Sequence, residues 1–381
     1  MKNKQKTVLV ITSHYPPNLG GVESHLLGLV AALIKRNWRV IVSTYQPLAS
    51  KKSSSLFEKQ NGLVIYRLPW LGFNIVHKLT PYPALEFLYL FPGLFVISFF
   101  SLVRHLKEIT VIHCQGLVPT AVGVLLGKLF SKRVISSIHN MYFFPRHGLY
   151  PLFAKQIFSL ADRILGPTQL TRQELISIGV DENKISGFRY WLDLGSFSPV
   201  SKDKAKRLIG WRKFTVLFVG RLIETKGLGV LLKMIKTFPP GIQLVVIGDG
   251  PMKWAVEVAQ KKSKNIVYLG RVENQNLPLY YSAADLVLVP SLVDEGWGFV
   301  AMEAISCGTP VLASQKGGLA DVISAETGKL IISNAVSFKK WIEYFFHKKE
   351  ELDKLTRNTR PYALKNFGED SMEDILKTYE E

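Results

Sequence analysis

The chain has 381 residues, 47% of them hydrophobic, and it carries 48 Lys and Arg against 30 Asp and Glu, a formal net charge of +18. This length and apolar content suffice for two ordinary hydrophobic cores, so two domains are expected. The two cysteines, Cys114 and Cys307, have no second Cys or His at ligand spacing beside them, which argues against a disulfide framework and a structural zinc site and favours buried thiols in a reducing compartment.

The positive charge is concentrated in the first half of the sequence. Residues 1–192 hold 22 Lys and Arg against 8 Asp and Glu, and the remainder holds 26 against 22. No recognition-helix, zinc-finger or RNP-type motif accompanies this charge, so nucleic acid is not expected as a partner. An anionic membrane surface or a phosphate-carrying acceptor fits the basic half better.

The first half alternates short β-rich runs with amphipathic runs, which predicts a parallel sheet covered by helices. The apolar run Val8 to Ile11 is too short for a signal-peptide core, so it predicts a first strand of a cytoplasmic protein. A helix is predicted from about Gly21, because apolar residues recur there at helical spacing. The predicted strands are Thr7 to Thr12, Arg39 to Thr44, Val64 to Leu68, Thr110 to His113, Arg133 to Ile138 and Arg163 to Pro167.

The segment Phe87 to Val103 has no charged residue over 17 positions. A spanning helix needs about 20 apolar residues, and Pro92-Gly93 interrupts this run, so a membrane span is not expected. Two interpretations stay open. The segment is either a pair of buried helices covering the sheet or a hydrophobic patch at the acceptor cleft that enters the bilayer interface.

The second half repeats the alternation of strands and helices and predicts a second Rossmann-like unit. Its predicted strands are Phe214 to Val219, Gln243 to Ile247, Ile266 to Leu269, Leu286 to Val289 and Pro310 to Ala313.

The segment Pro290 to Pro310 places a glycine turn and a short helix between two carboxylates, Glu295 and Glu303. Gly296 and Gly298 permit a sharp backbone turn after a strand, so a helix N-terminus should emerge beside Glu295. Free N–H groups and the positive end of the helix dipole suit a diphosphate. Glu303, about one turn into the helix, could accept hydrogen bonds from a ribose diol.

Four segments, in this order, resemble the motifs of retaining glycosyltransferases of family 4, which have the GT-B fold. They are Tyr15 to His25 (YPPNLGGVESH), Ile135 to Asn140 (ISSIHN), Phe218 to Leu232 (FVGRLIETKGLGVLL) and Pro290 to Pro310 (PSLVDEGWGFVAMEAISCGTP). The four together are more specific than two Glu at this spacing. The resemblance spans nearly the whole chain.

The resemblance implies an α/β architecture of two Rossmann-like domains facing each other across a deep cleft. An acceptor-binding domain would cover residues 1–193 and a nucleotide-sugar-binding domain residues 194–365, with a C-terminal helix, about 366–381, packing back on the first domain. The hinge is expected near Leu194. There Tyr190-Trp191 stands where the family usually has Pro-Asn.

The resemblance also implies roles for single residues. Arg221 and Lys226 would hold the donor diphosphate, His139 would lie beside the donor sugar, and Asn140 stands where the family often has Asp, so no role of that Asp is carried over. Glu23 and His25, on the first helical turn, either cap and pack the helix or act at the site. The implied catalytic residues are Glu295, His139, Arg221 and Lys226, and the implied donor-binding residues are Gly20, Gly21, Arg221, Lys226, Val272, Glu295, Gly298, Phe299, Val300 and Glu303.

The resemblance implies a metal-independent retaining hexosyl transfer from a UDP-sugar or GDP-sugar to a glycan or lipid-linked acceptor, such as a cell-envelope precursor. No Asp-x-Asp motif occurs in the chain, so no metal or other cofactor is expected. The expected location is cytoplasmic, with peripheral contact to the cytoplasmic face of the membrane. The alternatives are a GT-B relative acting on the sugar nucleotide itself, such as an epimerase, and a non-catalytic membrane-associated partner of another transferase.

Overall fold

The computed structural model describes residues 5–18, 20–48, 53–70, 75–79, 81–139, 142–145, 148–235 and 237–381. The chain forms two compact units. The first consists of Met1–Trp191 together with Glu369–Glu381, and the second of Leu192–Gly368. The acceptor-binding and donor-binding roles expected for the two domains stay predictions.

The first unit is built on an eight-stranded sheet with the order β3-β4-β2-β1-β5-β6-β7-β8. All neighbours are parallel except β3, which pairs antiparallel with β4. The central strand β1 is buried along its whole length, as expected of a parallel sheet covered on both faces. The strands are β1 Thr7–Ile11, β2 Arg39–Tyr45, β3 Phe57–Gln60, β4 Leu63–Leu68, β5 Ile109–Gln115, β6 Arg133–Ser137, β7 Arg163–Gly166 and β8 Ile185–Gly187. The helices are α1 Gly21–Lys35, α2 Ile75–Leu79, α3 Pro83–Arg104, α4 Leu117–Phe130, α5 Leu149–Leu160 and α6 Gln169–Ser177.

The second unit contains a six-stranded parallel sheet with the order β11-β10-β9-β12-β13-β14. Its strands are β9 Phe214–Val219, β10 Ile242–Ile247, β11 Ile266–Gly270, β12 Leu286–Val289, β13 Val311–Ser314 and β14 Gly328–Ile331. Its helices are α7 Lys202–Ile209, α8 Leu228–Ile235, α9 Lys253–Lys262, α10 Leu277–Ala283, α11 Phe299–Ser306, α12 Leu319–Val322, α13 Ala335–His347 and α14 Lys349–Asn366.

The last helix, α15 (Met372–Glu380), belongs to the first unit. The hydroxyl of Tyr379 lies 2.7 Å from Nδ1 of the buried His113. Residues 369–381 add one basic and six acidic residues to the first unit, which therefore holds 23 Lys and Arg against 14 Asp and Glu, while the second holds 25 against 16. The positive surplus of the first unit is thus no larger than that of the second. Ion pairs with the C-terminal segment neutralise part of the positive charge of the first half, namely Lys6–Glu380, Lys35–Glu369, Arg36–Glu373 and Arg163–Glu381.

All eleven predicted strands are present, with ends that shift by at most two residues. The strands β3, β8 and β14 were not predicted. The first is an exposed edge strand of largely polar sequence, β8 has three residues, and β14 lacks a clear apolar alternation. Short strands of this kind carry little periodic signal.

The interpretation of Phe87 to Val103 as a pair of buried helices is wrong on two counts, and the alternative of a hydrophobic patch stays a prediction. The segment lies in one continuous helix, α3, with Pro92 inside it, and not in a pair of helices. In addition, only 33% of its most apolar 18-residue window is buried. Among the described helices, α3 is the one long and apolar enough to span a membrane by length and composition.

The helix continues through Pro92, and side chains from outside it bind the backbone of the preceding turn. Proline removes one N–H donor and disturbs the neighbouring carbonyl groups. The Tyr45 hydroxyl donates to the carbonyl of Leu90, and the Trp70 indole donates to that of Tyr89 at 3.0 Å. These contacts fix α3 on the sheet.

Candidate functional site

Three neighbouring strands of the second unit, β9, β10 and β11, end in glycines at the carboxyl edge of the sheet. The N–H of Gly220 donates to Ile247, the residue before Gly248, and the N–H of Gly248 donates to the carbonyl of Gly270 at 2.8 Å. Gly248 has a φ of +141°, and a Cβ there would lie 1.8 Å from the carbonyl oxygen of Gly220. The neighbouring backbone therefore requires glycine at position 248, and the three glycines carry no side chain at the edge where α/β sheets bind ligands.

The loop after β9 is held against the loop after β12. Gly227 has a φ of +77°, and a Cβ there would lie 1.9 Å from the carbonyl oxygen of Pro290. The N–H of Leu292 donates to the carbonyl of Thr225 at 2.8 Å. This close contact brings Lys226 to Glu295, whose two carboxylate oxygens each lie 2.7 Å from the Lys226 ammonium nitrogen.

Glu295 is fixed from several sides. The Ser291 hydroxyl donates to its carboxylate, and its backbone carbonyl accepts from the N–H of Gly318 at 2.7 Å. Gly317, with a φ of +52°, packs so closely that a Cβ there would lie 2.5 Å from the Glu295 nitrogen. The neighbouring Asp294 accepts from the Gly317 N–H at 2.9 Å, a structural loop contact. The sequence did not point to the buried Ser291.

Arg221 and Val272 lie at the same carboxyl edge of the sheet. Arg221 directly follows the glycine after β9 and is exposed. Val272 is half-buried and follows β11 by two residues. The cation and the short backbone segment are thus placed beside the glycine edge, where their predicted contacts with phosphate and base would be made.

The helix α11 carries Glu303 into the protein. The helix begins at Phe299, after Gly298, and its next residue is Val300. The hydroxyl of Tyr281 donates to the Glu303 carboxylate at 2.6 Å. Burial raises the pKa of Glu303 to about 7, although the Tyr281 hydrogen bond opposes this rise. The carboxyl group is therefore poised to change charge near neutral pH.

In the first unit, Gly20 and Gly21 lie where α1 begins. Gly20 has an extended backbone that any residue could adopt, but a Cβ there would lie 2.4 Å from a carboxylate oxygen of Glu23. The Glu23 side chain thus folds back over Gly20, and burial raises its pKa. Leu19, within the predicted glycine loop, lies outside the described residues.

His25 lies in an aromatic cluster. Its ring centroid is 5.4 Å from that of His139, 4.6 Å from that of Tyr190 and 5.0 Å from that of Trp191. Among the residues that the structure describes, neither ring nitrogen of His25 has a hydrogen-bond partner, and burial lowers the His25 pKa well below the usual value. His25 is therefore neutral and packs α1 against the segment that carries Tyr190 and Trp191.

His139 is buried with both ring nitrogens engaged. Nε2 lies 2.6 Å from Oε1 of Gln115, and Nδ1 faces the Tyr190 hydroxyl. Since the Gln115 oxygen can only accept, Nε2 donates to it and Nδ1 accepts from Tyr190. Burial lowers the His139 pKa to about 3, so the ring is neutral. The role of His139 beside a sugar stays a prediction. A hydrogen bond to the sugar would have to replace the one to Gln115 or the one to Tyr190.

Several residues around these positions were not predicted. Gln115, Tyr190, Tyr281 and Ser291 hold His139, Glu303 and Glu295, but each lies 4 to 51 residues from its partner. Asn140 lies outside the described residues. Among the residues that the structure describes, no group of three His, Cys, Asp or Glu is placed to hold a metal ion.

Two family models match the chain. The model "Glycosyl transferases group 1" matches residues 200–362, and "Glycosyltransferase Family 4" matches residues 19–187. The chain is 27% identical over 339 residues to an uncharacterized glycosyltransferase of Methanocaldococcus jannaschii, covering 84% of this chain and 83% of that protein. It is 24% identical to the phosphatidylinositol N-acetylglucosaminyltransferase GPI3 subunit of Saccharomyces cerevisiae, over 84% of this chain and 70% of that one. A D-inositol 3-phosphate glycosyltransferase of Mycolicibacterium smegmatis is 33% identical over 46% of this chain and 42% of its own length.

Solved structures share the fold along the whole chain. The sucrose-phosphate synthase of Thermosynechococcus elongatus has a TM-score of 0.82 at 22% identity, over 99% of this chain and 98% of that chain. HepE of Anabaena, solved in complex with UDP, has a TM-score of 0.77 at 18% identity, over 98% and 99% of the two chains. At these identities the likeness concerns the fold.

Proposed function

Because this chain belongs to the group 1 and family 4 glycosyltransferases and has their GT-B fold, we propose that it is a retaining transferase that moves a hexose from a UDP-sugar or GDP-sugar to an acceptor. The second unit would bind the donor and the first unit the acceptor. The observation that carries the proposal is the contact between Lys226 and Glu295 beside the glycine edge and Arg221.

This arrangement suits a nucleoside diphosphate sugar. Two cations close to bare backbone can bind a diphosphate, which approaches glycine without steric hindrance. A fixed carboxylate beside them can accept hydrogen bonds from sugar hydroxyls. The similar structures of HepE were solved with UDP and with UDP-glucose, which supports a donor of this class.

The proposed reaction proceeds on one face of the sugar. The bond between the anomeric carbon and the phosphate oxygen breaks, the acceptor oxygen bonds to the same face, and the acceptor proton passes to the leaving phosphate oxygen. Arg221 and Lys226 would stabilise the charge that develops on the phosphate. When the diphosphate engages Lys226, Glu295 becomes available to the sugar. Because Arg221, Lys226 and the N-terminus of α11 supply positive charge, we propose that no metal is required.

The acceptor and the location belong to the same proposal. Two relatives are named for phosphatidylinositol and for D-inositol 3-phosphate, one a lipid and the other a soluble phosphate. We propose a lipid-linked acceptor or a cell-envelope glycan precursor, and a cytoplasmic protein that contacts the membrane peripherally.

Substitution of the two glutamates tests these roles. We expect Glu295→Ala to abolish turnover, because the sugar and Lys226 lose their fixed partner, and Glu303→Ala mainly to weaken donor binding. Turnover and donor affinity would be measured for both, with the exposed Glu326→Ala as control.

Three outcomes would contradict the proposal. Unchanged donor affinity in Glu303→Ala would remove the ribose role, and a product of inverted anomeric configuration would exclude retention. Conversion of the sugar nucleotide without transfer would favour the epimerase alternative.

A further inference from the structure

The outer side of α3, α4 and α5 exposes many large apolar side chains. Among the described residues, 29 such side chains are exposed, and 12 of them lie on these three helices. We call them the apolar surface, which consists of Leu85, Leu88, Val96, Phe99, Phe100, Val103, Leu125, Leu129, Leu149, Leu152, Phe153 and Leu160. Scattered exposed apolar residues are normal, but a concentration of this kind indicates an interaction site.

The three helices lie side by side, so the exposed side chains form one surface. The Phe87 ring on α3 packs against Phe153 on α5, with ring centroids 4.9 Å apart. The Phe99 ring on α3 lies 5.9 Å from Phe130 on α4. These contacts bury the sides of the helices against one another, and the described residues of the first unit leave the outer side exposed.

The charges on these helices are few and mostly positive. Their 48 residues include a single carboxylate, Glu86, and three cations, Arg104, Lys128 and Lys155. Each helix connects two parallel strands of the sheet in the same direction, so the C-terminal ends of α3 and α4 lie together. Exposed Arg104, Lys107 and Lys128 therefore form a basic rim at one end of the apolar surface.

We propose that the apolar surface rests in the interface of an anionic lipid bilayer, with α3 lying along the membrane and the basic rim contacting lipid phosphates. Leu, Val and Phe side chains insert among acyl chains without needing hydrogen-bond partners, whereas cations at the rim bind headgroups. A protein partner would more often be met by polar groups interspersed among apolar ones.

Contacts with the sheet indicate that α3 lies on the membrane and does not cross it. The Ser101 hydroxyl of α3 lies 2.5 Å from that of Ser43 on β2, and Tyr45 and Trp70 bind the helix near Pro92. A crossing helix would have to give up these contacts. At about 1.5 Å per residue, a 22-residue helix lying flat offers a long line of insertion.

This inference rests on the peripheral membrane contact proposed above and assigns it to one surface, but it does not depend on the transfer reaction, because no residue of the apolar surface belongs to the proposed donor site. The test is flotation of the full chain with vesicles of phosphatidylcholine, with and without phosphatidylglycerol. We expect binding that is stronger with phosphatidylglycerol and that weakens at high salt.

The decisive variant combines Leu88→Gln, Val96→Gln and Phe100→Gln, whose side chains are 53% to 68% exposed. We expect it to bind vesicles at least about tenfold more weakly, because inserted apolar area is lost. The matched control combines Trp254→Gln, Ile332→Gln and Val336→Gln in the second unit, 66% to 78% exposed, and should bind as the unchanged protein does. Arg104→Gln with Lys128→Gln should weaken binding only to vesicles with phosphatidylglycerol.

Any of three results would overturn the proposal. The first is absent binding by the unchanged protein, and the second is equal binding by both triple variants. The third is concentration-dependent self-association without lipid, measured by sedimentation and lost in the Leu88, Val96 and Phe100 variant, which would assign the surface to a second copy of the chain. Circular dichroism and nucleotide binding of each variant would show that it folds, and nucleotide binding would separate this result from a failure of the transferase proposal.

Discussion

Both ring nitrogens of His139 are held by neighbouring side chains, and the Tyr190 hydroxyl is one of the partners. Tyr190 and Trp191 stand where the resembled family usually has Pro-Asn. Their rings also pack against His25, whose ring nitrogens have no hydrogen-bond partner in the described part of the chain. The replacement therefore builds an aromatic wall around two neutral histidines in the first unit.

Removing the Tyr190 hydroxyl should destabilise the first unit. In Tyr190→Phe the buried Nδ1 of His139 loses its donor, and an unsatisfied buried polar atom costs about 1–3 kcal/mol of unfolding free energy. Urea unfolding would measure the change. The exposed Tyr82→Phe is the control, and an equal effect of both substitutions would show that the Tyr190 hydroxyl is not important.

The buried carboxyl of Glu303 should make nucleotide binding pH-dependent. Its pKa is raised to about 7 by burial, so the carboxylate that accepts from a ribose is protonated as the pH falls below that value. We expect the affinity for UDP or GDP to fall by up to about tenfold per pH unit below the pKa. Calorimetric titration of the unchanged protein and of Glu303→Gln would measure it.

The Glu303→Gln variant separates the titration of Glu303 from that of the ligand phosphates, because the variant loses the titrating carboxyl while the phosphates still titrate. Identical pH profiles would contradict the assignment of Glu303.

The raised pKa of Glu303 also has a consequence for folding. The contribution of the neutral carboxyl to stability is full below the unfolded value of 4.5 and is lost as the pH rises through about 7.

At the scale of elements, α3 shows how distant contacts override a local signal. Pro92-Gly93 predicts an interruption, but Gly93 packs closely against the rings of Trp70 and Tyr45. A Cβ on Gly93 would lie 2.7 Å from the Trp70 ring and 2.8 Å from that of Tyr45. The glycine permits this approach, and the same two side chains donate hydrogen bonds to the carbonyls of Leu90 and Tyr89 in the turn before Pro92.

Adding a methyl group at Gly93 should therefore destabilise the protein. Alanine favours a helix by about 1 kcal/mol relative to glycine, but overpacking against two rings costs about 1–3 kcal/mol. The matched control is Gly28→Ala in α1, where the new Cβ would lie 3.4 Å from the Trp191 indole nitrogen, an acceptable contact. We expect a net loss of unfolding free energy for the first and no loss for the second, and equal thermal stabilities would contradict the packing described.

The elements themselves were largely predictable, and their side-chain partners were not. Strands such as β9 and β12 are apolar runs bounded by Gly or Pro, and their limits agree with the predictions. The pairing of Lys226 with Glu295 was not predicted, although both residues were. It depends on Gly227 approaching Pro290, a contact between two loops that are distant in sequence.

At the scale of the whole molecule, the two units have similar charge but different surfaces. The acidic residues around α15 offset the basic first half, so each unit carries a similar basic surplus. What distinguishes the first unit is the apolar surface on α3, α4 and α5. What distinguishes the second is the glycine edge with Lys226 and Glu295. The fold and family could be predicted from the ordered motifs in the sequence. The equal charge of the two units could not, because it depends on the acidic C-terminal segment packing on the first unit.

Thermal unfolding with UDP, GDP and their sugars, in the presence of EDTA, tests the central claim most directly. Binding to the folded state stabilises it by about 2.7 kcal/mol at 100 times Kd. We predict that one nucleotide family raises the Tm with EDTA present and that Lys226→Ala diminishes the rise. Absence of stabilisation by every nucleotide would contradict the donor site, and stabilisation that EDTA abolishes would contradict metal independence.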